Sequence, residues 1–244
     1  MNTTNLKPLI KLSDLVECRI LKRVSRFVVL VDIAGRASTA YLNNTGRLLD
    51  YLVPGKVGYC IETRSGRLKY RLVGVGDGEY AALVDTRLQE NSFIALYEME
   101  LLSWLSGYRL FKRNYELEGV VIDFAFKRND ELLLTELKSA VMKLGGGATG
   151  YPDAPTIRGR NQILKLADFA KRGNKAFVVF IAAVPHATVF RLYCNADKQI
   201  KYVIDYALNS GVNFKSVNVF LDVGSSSVVS GNLELPVDLS CSSE

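Results

Sequence analysis

Apolar and polar positions alternate over short runs in the first third of the chain. Between Leu12 and about Val84, four β-rich runs are separated by Gly, Asn and Pro residues that favour turns. These runs are residues 27–33, 39–41, 58–62 and 69–73. Their spacing predicts a small β-barrel. The polar stretch 85–91 is interpreted as a connector to the rest of the chain.

After residue 91, apolar residues recur mainly at helical spacing or form continuous runs. Apolar residues recur at helical spacing over 92–107, with Ser92 as the expected N-cap and Gly107 as the stop. Further helices are predicted for 156–172 and 198–210, and strands for 175–183 and 216–223. The second part is therefore predicted to be α/β. The Ser/Gly-rich end, residues 225–244, is expected to be a weakly packed tail.

Residues 120–126 and 131–138 predict two strands joined by a turn at Asn129 and Asp130. Because side chains alternate along a strand, Ile122, Phe124 and Phe126 are expected to share one face and Asp123 to point to the other. Glu136 and Lys138, two apart, are likewise expected to share a face.

A two-residue turn also fixes the register of this hairpin. If Arg128 faces Glu131, Asp123 lies directly opposite Glu136. Two carboxylates so placed repel each other unless a proton or a cation lies between them. The alternative is an exposed hairpin whose acids are solvated, or a register shifted by one residue.

A magnesium ion fits two facing carboxylates. Mg²⁺ prefers oxygen ligands in an octahedral shell, so Asp123, Glu136, the carbonyl of Leu137 and a substrate phosphate would hold it. Lys138 would then orient or deprotonate an attacking water, or neutralise charge on the phosphate.

Charge and composition limit the class of protein. The 244 residues are 48% hydrophobic and 23% charged, enough for one large or two small cores. The net charge is +6, and residues 1–90 carry 14 Lys and Arg against 9 Asp and Glu. A basic first part suggests binding of a polyanion, although ordinary surface charge is the alternative. Without a long apolar run or a secretory leader, the chain is expected in the cytoplasm and not in a membrane.

Several common chemistries have little support. Cys18, Cys60, Cys194 and Cys241 are scattered without a C-x-x-C pair, and His186 is the one histidine, which argues against zinc. His186 is expected in a loop, so a Ser-His-Asp triad is disfavoured. The glycines at 145–147 lack the Lys-Ser/Thr of a phosphate-binding P-loop.

The helix predicted for 156–172 carries a polar stripe. Arg158, Gln162 and Lys165 fall at i, i+4 and i+7, on one side of the helix. Such a stripe can contact phosphates, although many such stripes are simply solvent-facing.

Taken together, these segments resemble the sugar fermentation stimulation protein A (SfsA) family over most of residues 20–222. The segment Tyr151-Pro-Asp-Ala-Pro-Thr-Ile-Arg-Gly-Arg160 is similar to that family's F-P-D-A-x-T-x-R-G-R signature. Other matching positions are Arg23, Arg26-Phe27, Asn44-Thr45-Gly46-Arg47, Pro54-Gly55, Asp123-Phe124 and Glu136-Leu137-Lys138-Ser139. Val120-Val121 and Asn161-Gln162 depart from the pattern, where the family commonly has Ser-Arg and a histidine.

The resemblance implies an N-terminal OB-like barrel, placed here at residues 1–88, and a PD-(D/E)xK nuclease-like domain, a mixed sheet flanked by helices, at residues 89–224. It maps the nuclease-like core onto Asp123, Glu136 and Lys138. An acid that assists from the preceding helix would be Glu98 or Glu100, and Asp153 is a further candidate.

The resemblance also implies non-specific DNA binding. The barrel side chains suited to phosphates and bases are Arg23, Arg26, Phe27, Arg47, Lys69 and Tyr70. In the second domain Arg158 and Arg160, with Gln162 and Lys165, would contact phosphates. Arg23 and Arg26 pairing with Asp32 or Asp50 is the structural alternative.

The main hypothesis is a DNA-binding phosphodiesterase that depends on Mg²⁺ or Mn²⁺. The alternative is a non-catalytic DNA-binding regulator, connected with sugar metabolism through the family name. Binding of a sugar phosphate or nucleotide has little support. The sequence leaves open the strand state of the DNA, RNA as a substrate, and whether the chain forms a homodimer.

Overall fold

The structure is a computed structural model that describes residues 6–63 and 67–241. The helices are α1 (Thr86–Glu98), α2 (Ile157–Lys171) and α3 (Ile200–Asn209). The strands are β1 (Lys7–Lys11), β2 (Leu15–Ser25), β3 (Val28–Ile33), β4 (Arg36–Leu42), β5 (Val57–Glu62), β6 (Tyr70–Asp77), β7 (Tyr80–Leu83), β8 (Arg109–Leu117), β9 (Val120–Arg128), β10 (Glu131–Ala140), β11 (Met142–Leu144), β12 (Ala148–Tyr151), β13 (Lys175–Ala182), β14 (Val189–Leu192), β15 (Asn213–Asp222), β16 (Ser227–Ser230) and β17 (Val237–Asp238).

The predicted barrel consists of β2 to β6. The strands pair in the order β4-β3-β2-β5-β6, and a parallel pairing of β4 with β6 closes the ring. Alternate side chains fill the interior, among them Ile20, Val29 and Val31, each with no exposed surface.

A mixed sheet forms the second half. β8, β9 and β10 are antiparallel neighbours, and β13 and β15 add parallel strands beside β10. β7 follows β6 in a hairpin and pairs with β15, so the barrel and the mixed sheet share one continuous set of strands.

Helix α1 begins earlier than predicted. Asp85 is its N-cap, and the Asp85 carboxylate accepts the backbone N–H of Leu88 at 2.8 Å. Ser92, the expected cap, is buried inside the helix and donates to the carbonyl of Leu88. The interpretation of 85–91 as a connector and the extension of this helix to Gly107 are therefore wrong. A short 3₁₀ turn at Ser103–Leu105 follows.

The other two helices agree with their patterns. Thr156 caps α2 by accepting the N–H of Gly159, as predicted, and α3 spans most of the predicted 198–210. Both helices pack on one face of the mixed sheet, over buried residues such as Phe180 and Val178.

The chain end is not a loose tail. β16 is buried along its length and pairs with both β1 and β15, and β17 pairs with β14. A disulfide joins Cys194 to Cys241. Disulfides are uncommon in most cytoplasmic proteins, so this bond does not support the expected cytoplasmic location. That location stays a prediction.

Two hydrophobic cores lie on opposite faces of the mixed sheet. One runs from the barrel to the α1 side and includes Phe93, Phe124 and Phe126, and the other lies beneath α2 and α3. Ile122 belongs to the second core. The prediction that Ile122 shares a face with Phe124 and Phe126 is therefore wrong, because the alternation breaks next to Asp123.

The helices give no sign of a membrane span. Over residues 6–63 and 67–241, none of them combines the length and the apolar character that crossing a bilayer requires.

Candidate active site

The hairpin of β9 and β10 has the predicted register up to its last pair. Asn129 turns the chain with a φ of 53°, and Arg128 faces Glu131. Pairing continues to Phe124 opposite Thr135 and then stops. Asp123 and Glu136 come next on the two strands, at the point where the ladder ends.

Side chains replace the ladder bonds at this point. The Asp123 carboxylate accepts the backbone N–H of Leu137 at 2.7 Å, and the Glu136 carboxylate accepts the backbone N–H of Asp123 at 3.2 Å. Each acid therefore fixes the other strand's backbone. This reciprocal arrangement holds the two carboxylates together at the open end of the hairpin.

Lys138 lies on the same side of β10 as Glu136, as predicted. Its ammonium donates to Glu136 Oε1 at 2.6 Å and to Gln162 Oε1 at 2.9 Å, and the Lys138 side chain is almost fully buried. Gln162, on α2, donates in turn to the carbonyl of Val121 at 2.7 Å. Gln162 therefore orients the lysine and is itself buried.

Burial dominates the electrostatics of this group. It raises the pKa of Glu136 to about 7, with Lys138 opposing and Asp123 adding to the rise. Burial also raises the pKa of Asp123, against the nearby charges of Lys138 and Arg158. Burial alone would lower the pKa of Lys138, yet the facing Glu136 raises it overall.

These side chains form the floor of a cavity of about 520 Å³. The second domain supplies Asp123, Glu136, Leu137 and Lys138, together with the loop from Tyr151 to Arg158. The barrel supplies Arg26 and the segment Asn43–Gly46, which form the opposite wall. The cavity therefore lies between the two domains, and neither encloses it alone.

A third acid faces this cavity from α1. Glu90 lines it, and burial raises the pKa of Glu90 to about 7, with the charge of Asp123 adding and Arg113 opposing. Glu98 and Glu100, the predicted assisting acids, are exposed at the far end of α1. Glu98 is eight residues along the helix from Glu90, which corresponds to a distance of about 12 Å. The position of Glu90 was missed because the helix was expected to begin at Ser92.

Asp153 lines the cavity but is engaged with the barrel. Its carboxylate accepts the N–H of Leu48 at 3.1 Å, and a Cβ on Gly46 would clash with it. Arg23 holds the same loop by donating to the carbonyls of Asn44, Gly46 and Arg47, and it also donates to the carbonyl of Arg26. The structure thus gives Arg23 and Asp153 fastening roles, and neither of the alternative partners, Asp32 and Asp50, binds Arg23.

The arginines of the Arg-Gly-Arg segment have different surroundings. Arg158 is exposed at the cavity wall, whereas Arg160 is paired with buried Asp197. Asp197 also accepts the N–H groups of Thr156 and Gln199. Arg160 therefore holds the start of α2 and does not face the cavity.

The remaining predicted DNA-binding residues are dispersed. Lys165 pairs with Glu118 at 3.3 Å, and Lys69 pairs with Glu62 at 3.3 Å beside Tyr70, away from the cavity. Arg26 lines the cavity, Phe27 lies beside the Arg26 guanidinium, and exposed Arg47 lines a smaller neighbouring cavity. The cavity thus brings together only some of the predicted set.

Two carboxylates, rather than three, are the core of the cluster. Within the part of the chain that the structure describes, no three His, Cys, Asp or Glu side chains are close enough to hold a metal ion by themselves. Any ion bound here would complete its shell with backbone oxygen, water or a ligand.

Comparison with known proteins agrees with this architecture. The model of the SfsA N-terminal OB domain matches residues 21–84, and that of the sugar fermentation stimulation protein RE domain matches residues 87–224. The chain belongs to the SfsA family. The expected fold, an OB-like barrel followed by a nuclease-like mixed sheet flanked by helices, is thereby confirmed.

Its relatives match over nearly their whole length. The sugar fermentation stimulation protein homolog of Pyrococcus furiosus is 35% identical over 94% of this chain and 99% of its own. The homolog of Archaeoglobus fulgidus is 40% identical over 86% and 91%. The structure of Pyrococcus furiosus SfsA in complex with Ca²⁺ superposes with a TM-score of 0.91 at 35% identity, covering 95% of this chain and 99% of that one.

Proposed function

We propose that this SfsA-family protein is a metal-dependent phosphodiesterase that acts on DNA. The observation that carries the proposal is the convergence of Asp123, Glu136 and Lys138 at the floor of the interdomain cavity, where Asp123 and Glu136 fix each other's strands. A buried lysine beside two carboxylates at a strand end suits phosphoryl chemistry better than a purely structural role.

The donor set fits a hard divalent cation. Asp123 and Glu136 each retain lone pairs after the hydrogen bonds described, and Leu137 lines the cavity between them. Mg²⁺ and Mn²⁺ bind one or two carboxylates and keep several waters, so they need no third protein acid in direct contact. The Ca²⁺ in the related Pyrococcus furiosus structure, another oxygen-binding cation, supports this assignment.

Asp123, Glu136 and the carbonyl of Leu137 would hold the ion. When bound, it would polarise the scissile phosphate and lower the pKa of a coordinated water. Lys138, held by Glu136 and Gln162, would donate a hydrogen bond to that water or to the phosphate. Arg158 at the wall would neutralise a phosphate oxygen, and Glu90, which also lines the cavity, would accept a hydrogen bond from a water molecule there.

DNA as the substrate is supported by the basic barrel and by the wall that it contributes. The first 90 residues carry the excess of positive charge, and Arg26 places part of that charge at the cavity. Phosphates are the partners that such a distribution attracts. Each phosphate contact on duplex DNA would lower the logarithm of affinity by about 0.9 per tenfold rise in salt.

Incubation of plasmid and single-stranded DNA with the purified chain and Mg²⁺ or Mn²⁺ tests the activity. We expect cleavage that is lost in Glu136→Ala and Lys138→Ala, while DNA binding survives in both variants. Glu98→Ala, at the exposed end of α1, is the matched control and should cleave normally. Cleavage that persists in both active-site variants would contradict the proposal.

A non-catalytic DNA-binding regulator is the second candidate. The observation that favours it is the short Glu136–Lys138 pair, which balances one of the acids without any metal. Binding of DNA with no cleavage of either substrate under both ions would support this candidate and overturn the first.

A further inference from the structure

Two aromatic rings lie side by side on the surface of the barrel. Phe27, just before β3, has an exposed fraction of 42%, and Tyr41, in β4, has one of 37%. Their ring centroids are 6.4 Å apart and their planes are inclined by 25°. Adjacent exposed apolar side chains mark interaction sites more often than singly scattered ones do.

This aromatic pair borders the interdomain cavity. The guanidinium of Arg26, which lines the cavity, lies 5.5 Å from the centroid of the Phe27 ring. On the other side, the Tyr41 hydroxyl donates to Asn43 Oδ1 at 3.3 Å, and Asn43 also lines the cavity. A group stacked on the pair would therefore be next to the cavity mouth.

The cavity itself has the size of a site for one small unit. Its volume of about 520 Å³ lies in the range of about 300–1,000 Å³ that is usual for single small ligands. The barrel wall is fastened to the second domain, since Asp153 accepts the N–H of Leu48 and Asn44 donates to the hydroxyl of Ser139 on β10 at 3.5 Å. A nucleotide fits such a space, and a section of intact double helix does not.

From these observations we infer that the substrate is unpaired DNA. One base stacks on Phe27 and Tyr41, and the adjoining phosphate enters the cavity past Arg26 toward Asp123 and Glu136. Stacking on aromatic rings is open to any base once it has left the duplex, so this mode selects strand state and not sequence. The inference rests on the proposed function and specifies its substrate.

Binding measured without divalent metal tests strand state separately from catalysis. The probes are a fluorescent single strand of about 16 nucleotides, the upper site size of an OB fold, and the same strand annealed to its complement. Anisotropy titrations would compare the wild type with Phe27→Leu, Tyr41→Leu and the double variant. Phe111→Leu is the matched control. Phe111, on β8, is 46% exposed, lies beneath the Lys127 ammonium and is not part of the cavity lining.

We expect the wild type to bind the single strand at least about tenfold more tightly than the duplex. The double variant should lose about tenfold in affinity for the single strand, as the loss of base stacking predicts. Affinity for the duplex should change little, and Phe111→Leu should match the wild type. Equal or tighter binding of the duplex, or single-strand binding that ignores both substitutions, would overturn the inference.

Cleavage assays on the same two probes with Mn²⁺ separate this inference from the proposed function. Preferential binding of the single strand without any cleavage supports the inference and overturns the nuclease assignment. Cleavage of the duplex that is as fast as that of the single strand supports the nuclease and overturns the inference. Failure to bind either probe overturns both.

Discussion

Two buried ion pairs in the second domain have opposite surroundings. Glu136 and Lys138 meet at the floor of the cavity, where a third and a fourth ionisable group, Asp123 and Glu90, face the same space. Arg160 and Asp197 meet at the start of α2, where backbone N–H groups satisfy the acid. Both pairs are well buried, so burial alone does not distinguish the candidate active site from a structural ion pair.

The difference lies in the carboxylates. At the cavity, burial raises the pKa values of Glu136, Asp123 and Glu90, so negative charge is under-compensated there. At the start of α2, burial also acts to raise the pKa of Asp197, but hydrogen bonds from Thr156, Gln199 and Arg160 lower it overall. The first cluster has room for a cation, whereas the second is already satisfied.

Removal of the cationic partner should affect catalysis only at the cavity. Lys138→Met is expected to lower the rate of DNA cleavage by about 10³-fold, since it removes a preorganised donor to the reacting groups. The protein should still fold, because Glu136 readily takes up a proton. Single-turnover cleavage rates measure the effect, and Lys165→Met, which removes an exposed pairing with Glu118, is the control.

The corresponding change at the other pair should affect stability instead. Arg160→Met leaves Asp197 buried without its charged partner and is expected to lower the free energy of unfolding by about 3 kcal/mol. Since the folded pKa of Asp197 is lowered, its contribution to stability is present above about pH 4 and lost as the pH falls below that. Urea unfolding at pH 7 and pH 3 measures both effects. A cleavage rate in Arg160→Met that falls as far as in Lys138→Met would show that the two ion pairs do not differ in role.

A third polar contact fastens the barrel wall to the cavity. In Gly46→Ala the new methyl group would clash with the Asp153 carboxylate and displace it from the N–H of Leu48. We expect a loss of about 1–3 kcal/mol in unfolding free energy. Gly76→Ala in β6, where a Cβ would meet only ordinary contacts at 3.4 Å or more, is the control. Equal thermal unfolding of the two variants would show that this contact does not hold the wall.

The smallest expected effect concerns Glu90. Its folded pKa of about 7 exceeds the unfolded value, so its ionisation costs stability as the pH rises from about 4.5 to 7. Glu90→Gln should therefore stabilise the metal-free protein by about 1 kcal/mol at pH 8, after allowance for solvent screening, and by nothing at pH 4. Glu98→Gln on the same helix should match the wild type at both pH values.

Much of the fold follows from periodicity. The hairpin of β9 and β10, the buried strand β13 and the capped helix α2 were predictable because their apolar spacing, turn residues and cap residue are local in the sequence. The start of α1 was misplaced because Ser92, a good cap by type, is buried by tertiary packing. Ser and Gly content predicts a loose tail at the end of the chain, because composition does not reveal that β16 pairs with two distant strands.

The site was predictable where its residues are near in sequence. Asp123, Glu136 and Lys138 come from one hairpin, so strand alternation and turn length suffice to bring them together. Arg23 and Arg160 are predicted DNA contacts, yet in the structure Arg23 binds carbonyls of the loop at 44–47 and Arg160 binds Asp197. These partners are distant in sequence, so a local pattern does not reveal them. Residue type predicts that an arginine binds an anion or a carbonyl, but only the tertiary structure decides which.

Calorimetric titration of Mn²⁺ into the metal-free protein at pH 8 tests the central claim most directly. We expect binding in the wild type, binding retained in Arg160→Lys, and binding lost in both Asp123→Asn and Glu136→Gln. An unchanged dissociation constant in Asp123→Asn and Glu136→Gln, with both variants folded, would contradict a metal site at the end of the β9–β10 hairpin.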